Sequence, residues 1–266
     1  MRTLKLTLSY DGSRLVGWQR QAEGDSVQGL LEDALARFEG GHVTVHGAGR
    51  TDAGVHALGQ VASVRVTFAH DPPTLVRALN AELPEDVRVL AVDEAAPEFH
   101  ARFSARSKTY RYHVRNAAVA SPFARAFVWH VPQPLDVESM RRAAARLLGT
   151  HDFSAFRSVG TDAPDAVRTI LASSVWSSPS SSQAPVVAIG PWTSGTSDSG
   201  TLLTYEVTGD GFLRHMVRAI VGTLVEVGRG WRQPEQMDEL LRARDRGAAG
   251  ATAPPQGLFL VRVDYD

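Results

Sequence analysis

The chain contains no cysteine. Disulfides, thiolate nucleophiles and cysteine-ligated metals are therefore excluded. No apolar run approaches the length of a membrane span. A strong charge of either sign is also missing, because 28 Lys and Arg against 29 Asp and Glu leave a formal net charge of −1. That balance argues against a protein that coats itself with polyanion over its whole surface. The opening Met1-Arg2-Thr3-Leu4-Lys5-Leu6 alternates like a strand and lacks the apolar core of a signal peptide, so the expected location is the cytoplasm. One further absence is local. No acid lies between Phe99 and Gln133, the stretch that holds Arg102, Arg106, Lys108, Arg111, Arg115 and Arg125. A second basic cluster holds Arg214, Arg218, Arg229 and Arg232. Such stripes are either solvated faces or places where a polyanion meets one side of a near-neutral protein.

What is present is a folded chain of 266 residues, 43% of them hydrophobic, long enough for one large domain or two small ones with ample core. Residues 4–10 alternate as a strand. Asp25, with Gln28 three residues on, reads as a helix start, and Val27, Leu30, Leu31, Ala34, Leu35 and Phe38 follow at helical spacing. Two alternating segments, 43–45 and 60–66, flank a glycine-rich loop. A helix over 74–83, stopped by Pro84, and a strand over 87–92 complete a β-α-β-β-α-β order. The second half repeats the theme: a strand over 107–115, a capped helix over 136–148, and strands over 167–176 and 202–208. Helices over 212–227 and 234–244 and a last strand over 258–265 follow. The expected fold class is α+β. Two ferredoxin-like halves with antiparallel sheets, 1–105 and 106–266, would be joined around a central basic cleft. A serine-rich segment over 173–200, with ten serines and one acid, interrupts the second half and is expected as a surface hairpin around residues 186–189 or a partly mobile excursion.

Gly49-Arg50-Thr51-Asp52-Ala53-Gly54-Val55-His56 is the most informative stretch. A single carboxylate on a short, backbone-rich loop between strands suits a nucleophile or an acid–base group. The bland alternative is a turn aspartate capping its own loop. Arg50 tilts the balance, since a turn needs no arginine there, whereas a site that displaces a base from a stack can use a planar cation. The glycines match neither common phosphate-loop template. His46 and His56 raise a metal site as a rival, but no helical His pair appears and acids nearby are few. His56 is better placed to fix the loop by hydrogen bonding. In Lys108-Thr109-Tyr110-Arg111-Tyr112-His113, the tyrosines share one strand face and Arg111 and His113 the other. Aromatics beside cations suit a stacked nucleobase and its phosphate, and equally suit an ordinary core with a basic outer face. Gly211-Phe212-Leu213-Arg214-His215-Met216-Val217-Arg218 reads as a glycine turn opening a helix, with Arg214 and Arg218 on one face near an anion-friendly terminus. A buried Arg218 would need an acidic partner, and Asp52 is a candidate whose ionised form the pairing would favour.

Taken in order, these three stretches resemble the tRNA pseudouridine synthase A family, and Tyr10-Asp-Gly, Gly17-Trp18-Gln19 and Gly257-Leu-Phe-Leu add to the likeness. The serine-rich segment departs from it by its length. The resemblance implies an isomerase that converts uridine to pseudouridine at positions 38 to 40 of the tRNA anticodon arm. It implies no metal or organic cofactor, and a homodimer. By the same resemblance Asp52 is the catalytic acid, Tyr110 stacks on the target base and can take a proton from C5, and Arg218 pairs with Asp52. Arg50 fills the gap left by the flipped nucleotide, and Phe212 packs near the base. Lys108, Arg111 and Arg214 are expected to contact substrate as parts of the basic stretches. Two readings from other classes stay open: a non-catalytic RNA-binding module, which leaves Asp52 unexplained, and a small-molecule lyase or hydrolase, which leaves the basic stripe unused.

Overall fold

In the computed structural model, residues 1–158, 165–179 and 200–265 are described. The element order is β1 (Arg2–Tyr10), α1 (Val27–Glu39), β2 (His46–Gly47), β3 (His56–Val66), α2 (Pro72–Glu82), β4 (Val87–Ala95), β5 (Ser107–Asn116), β6 (Trp129–Val131), α3 (Val137–Ala145), β7 (Gly149–Asp152), β8 (Val167–Pro179), β9 (Thr201–Gly209), α4 (Met216–Gly228), α5 (Gln236–Ala243) and β10 (Leu258–Asp264). The chain is α+β and divides into two compact units, Met1–Thr109 with Phe259–Asp266, and Tyr110–Leu258. The last strand, which the sequence pattern groups with the second half, is part of the first unit.

In the first unit the strands run β4-β1-β3-β2, every neighbour antiparallel. β10 pairs with β3 in parallel at Phe259–His56 and Leu260–Ala57, so the sheet is mixed rather than purely antiparallel as expected. Alternation explains β1: Leu4, Leu6, Leu8 and Tyr10 are buried while the residues between are partly exposed. α1 is capped by Ser26, whose hydroxyl accepts from the Gly29 N–H at 3.2 Å, and not by Asp25. Gln28, expected to close a capping box, serves another purpose. It donates to the Val45 carbonyl at 3.1 Å, and Glu32 accepts from the Val45 N–H at 3.1 Å. These two side chains occupy the backbone of residue 45. The predicted strand over 43–45 is therefore absent, and only His46–Gly47 joins the ladder.

In the second unit the strands run β5-β9-β8-β7, with β6 parallel to β5. α3 is capped by Asp136 as expected. β8 continues through Ser173 to Pro179 in register with β9, so those residues are ladder and not excursion. The remainder of the predicted hairpin, 180–199, lies outside the described residues. α4 begins at Met216, four residues later than the sequence pattern suggests, because His215 adopts a left-handed conformation at φ 61° and stops the helix from extending backwards. Arg214 therefore precedes the helix, and the expectation that it shares a helical face with Arg218 fails.

Candidate active site

The loop between β2 and β3 carries Asp52, which is half-buried, beside an exposed Arg50 and a buried Thr51. Residues distant in sequence grip the loop from three sides. From β1, the Tyr10 hydroxyl lies 2.8 Å from Thr51 Oγ1, and Gln60 Nε2 of β3 donates to the Tyr10 oxygen at 3.3 Å and to the Gly49 carbonyl at 2.9 Å. Burial, only partly offset by hydrogen bonds to Thr51 and Gln60, pushes the Tyr10 pKa up to about 12, so the hydroxyl stays neutral. From the segment after β1, the Trp18 N–H donates to the Thr51 carbonyl at 3.0 Å and the Leu15 carbonyl accepts from Gly54 at 3.4 Å. Two glycines there have specific reasons. A Cβ on Gly12 would lie 2.1 Å from the Val55 carbonyl oxygen. Gly17, at φ +108°, would place one 2.6 Å from the Thr51 oxygen. His56 closes the far end of the loop. Its Nδ1 accepts the Gly12 N–H at 3.0 Å, and its ring stacks on Phe259 of β10 at 4.7 Å between centroids. The Val55 N–H turns back to the Asp52 carbonyl at 3.2 Å. The carboxylate thus sits on a loop whose backbone is pinned on both sides of it, which is the preorganisation a nucleophile or a charge-stabilising group requires.

Most of the other predicted residues lie in the second unit, whereas Arg102, Arg106 and Lys108 belong to the first. Tyr110 of β5 is buried and meets Phe212 edge-to-face, with centroids 5.0 Å apart and planes at 77°. Phe212 is half-buried and follows the Gly209–Gly211 turn at the end of β9. Tyr112, on the same strand face as Tyr110, is a core residue: it is fully buried and donates to the Pro254 carbonyl at 2.7 Å. Arg111 pairs with Glu206 on β9. Its charge is met within the sheet, so the basic stretch is not one continuous free face. Arg115 is buried, whereas Arg102, Arg106 and Arg125 are exposed. Lys108 is half-buried on β5. Arg218, in the first turn of α4, donates from Nε to the Ala253 carbonyl at 2.8 Å, and Ala253 N–H donates back to the Arg218 carbonyl at 3.0 Å. Arg214 is exposed, and its carbonyl accepts from Ser158 N–H at 3.2 Å. Among the described residues no three His, Asp or Glu side chains gather as a metal-ligand group.

The chain matches the tRNA pseudouridine synthase family over residues 7–104 and 143–266. It is 47% identical over 265 residues to the tRNA pseudouridine synthase A of Myxococcus xanthus, covering 100% of this chain and 92% of that protein. It is 43% identical to the enzyme of the same name from Pelobacter propionicus and 44% identical to that of Moorella thermoacetica, with full coverage of both chains in each pair. The chain belongs to the tRNA pseudouridine synthase A family. In this member of the tRNA pseudouridine synthase A family, the geometry accounts for each of the three outlying motifs of the sequence. Tyr10-Asp-Gly supplies the Thr51 contact and the close approach at Gly12, Gly17-Trp18 supplies the Thr51 carbonyl contact, and Phe259 backs His56. Gln60, four residues beyond the Asp52 stretch, ties the Tyr10 hydroxyl to the loop backbone at Gly49. The sequence signals these positions only as short separate motifs; their place around the Asp52 loop is a property of long-range contacts.

Proposed function

We propose that this chain isomerises uridine to pseudouridine at positions 38 to 40 in the anticodon stem–loop of tRNAs, with Asp52 as its single catalytic carboxylate. The observation that carries the proposal is the Asp52 loop itself: one acid, flanked by an arginine, on a backbone fixed by Tyr10, Trp18, His56 and Gln60. The reaction breaks the N1–C1′ bond of the nucleoside and forms a C5–C1′ bond, while C5 loses a proton and N1 gains one. It balances without an electron donor or a group from outside. Its demands are a carboxylate to attack, or to stabilise charge at, the nucleoside, a surface to hold the turned base, and a group to take the C5 proton.

In this reading Tyr110 stacks on the base and takes the proton, with Phe212 beside it. Arg218 supplies the acid's counter-charge, and Arg50 fills the stack left by the flipped nucleotide. Lys108, Arg111 and Arg214 are proposed to contact the RNA. Of these, Arg111 would have to do so while paired with Glu206. The two units are proposed to be ferredoxin-like halves, supported in the first by the β4-β1-β3-β2 order, around a basic cleft that takes the anticodon arm of tRNA. A cytoplasmic homodimer that needs no cofactor completes the proposal. The test is site-resolved mapping of pseudouridine in a tRNA transcript treated with the purified protein. Pseudouridine confined to positions 38 to 40 is expected, and modification elsewhere or none at all would overturn the assignment.

A further inference from the structure

A tight turn after β4, residues 100–104, has no part in the chemistry above, yet it is built with care. Its inner side rests on the Asp52 loop: Ala101 is fully buried against Ala48 and Val61, and its N–H donates to Ser63 Oγ at 3.0 Å. His100 organises the rest. Its Nδ1 accepts the N–H of Arg102 at 3.1 Å and of Phe103 at 3.4 Å, while its own N–H donates to Ser104 Oγ at 3.1 Å. Two backbone donors at Nδ1 require a lone pair there, which keeps the ring neutral. Burial first, and then the charges of His46, Arg102 and Arg65, hold the His100 pKa below its usual value.

The turn presents a flat apolar face beside cations. His46, His100 and Phe103 form a row, with centroids 4.7 Å and 4.4 Å apart and planes 31° and 38° from parallel. Phe103 ends the row and is 78% exposed. The Arg102 guanidinium lies 5.7 Å from its ring centroid and is exposed, as are Arg65 and Arg106. No acid follows in the sequence until beyond Gln133; Glu98, which is exposed, is the one just before. A rigid exposed phenyl ring beside guanidinium groups matches the requirements of a base with its phosphate, because every base offers a π-face and every nucleotide an anion. We propose that Phe103 and Arg102 form a subsite for one unpaired nucleotide of the RNA substrate other than the target uridine, with Phe103 stacking on its base and Arg102 holding its phosphate. The inference rests on the RNA-modifying function proposed above.

The test uses the full chain and a full-length tRNA transcript, with equilibrium binding across a salt series, steady-state turnover and solution mass measured on each variant. Phe103→Ala should raise Kd and KM about tenfold, the weight of one lost base stack, with kcat unchanged. Phe103→Trp should restore binding and Phe103→Leu should not. Arg102→Gln should lower the salt slope of binding by about one. Unchanged Kd in Phe103→Ala, or equal rescue by leucine, would overturn the subsite. A change in solution mass on Phe103→Ala would overturn it in favour of an interface between copies of the chain. Wild type that fails to bind tRNA would defeat the RNA reading as a whole, whereas wild type that binds and modifies tRNA indistinguishably from Phe103→Ala would defeat the subsite alone.

Discussion

Replacing Tyr10 with phenylalanine removes one oxygen atom from the frame around Asp52 and leaves the ring that fills the space. Thr51 Oγ1 loses its 2.8 Å partner, and Gln60 Nε2 loses the weaker of two, keeping the Gly49 carbonyl at 2.9 Å. One buried hydroxyl left unpaired and one bond weakened should cost about 1–3 kcal/mol, read as a shift of the urea midpoint at constant slope. Because Thr51 is bonded to Asp52 directly, kcat should also fall, by about tenfold for a loop displaced by a fraction of an ångström, with tRNA affinity unchanged. The pH dependence adds an independent check. The unfolded Tyr10 ionises near its ordinary value of 10.0, whereas the folded one holds its proton to about 12 because burial penalises the phenolate. Between those values the folded state binds more protons than the unfolded, so stability falls as pH rises through the window and levels off above it. Two pKa units correspond to about 3 kcal/mol. Tyr10→Phe should lack this share of the alkaline loss, although Tyr112 and Tyr205, also raised by burial, contribute in the same direction in both proteins. Wild-type stability and turnover at neutral pH in Tyr10→Phe would refute the claim that this hydroxyl positions the loop.

Gly17→Ala combines a Cβ placed 2.6 Å from the Thr51 oxygen with a φ of +108°, and should cost about 3 kcal/mol by thermal or urea unfolding. Activity should fall by more than that stability loss implies, and an alanine variant as active as wild type would show that the close approach is dispensable. Tyr110→Phe preserves the edge-to-face contact with Phe212 at 5.0 Å and deletes only the hydroxyl. RNA affinity should hold while product formation slows, and unimpaired turnover would remove Tyr110 from the proton transfer.

Much of the fold was legible because burial follows local period. The alternation in residues 4–10 and the stripe from Val27 to Phe38 describe β1 and α1 to within a few residues. The failures have local physical causes. Residues 43–45 alternate like a strand, but α1 satisfies the Val45 backbone with Gln28 and Glu32, a contact invisible to any window of sequence. α4 starts late because a single left-handed residue, His215, interrupts a helical pattern that the side chains alone would continue. β6 and β7, of 3 and 4 residues, are too short for a period to register. The loop that carries Asp52 was legible as a loop from its glycines. The residues that hold that loop were not, since Tyr10 and Thr51 stand 41 positions apart and Tyr10 and Gln60 stand 50 apart. Arg111 carried a correct strand position, but its partner Glu206 lies 95 residues away on β9, so its charge looked available when it is paired.

Asp52 is proposed as the chemical centre of a pinned loop. A tRNA transcript labelled with tritium at uridine C5 tests this directly, with tritium release and equilibrium binding measured for wild type and Asp52→Asn. Release by wild type alone, with equal affinity for tRNA in both proteins, is the predicted result. Release by both would contradict the assignment of Asp52, and loss of binding in step with loss of release would show that the acid maintains the loop and does not carry the reaction.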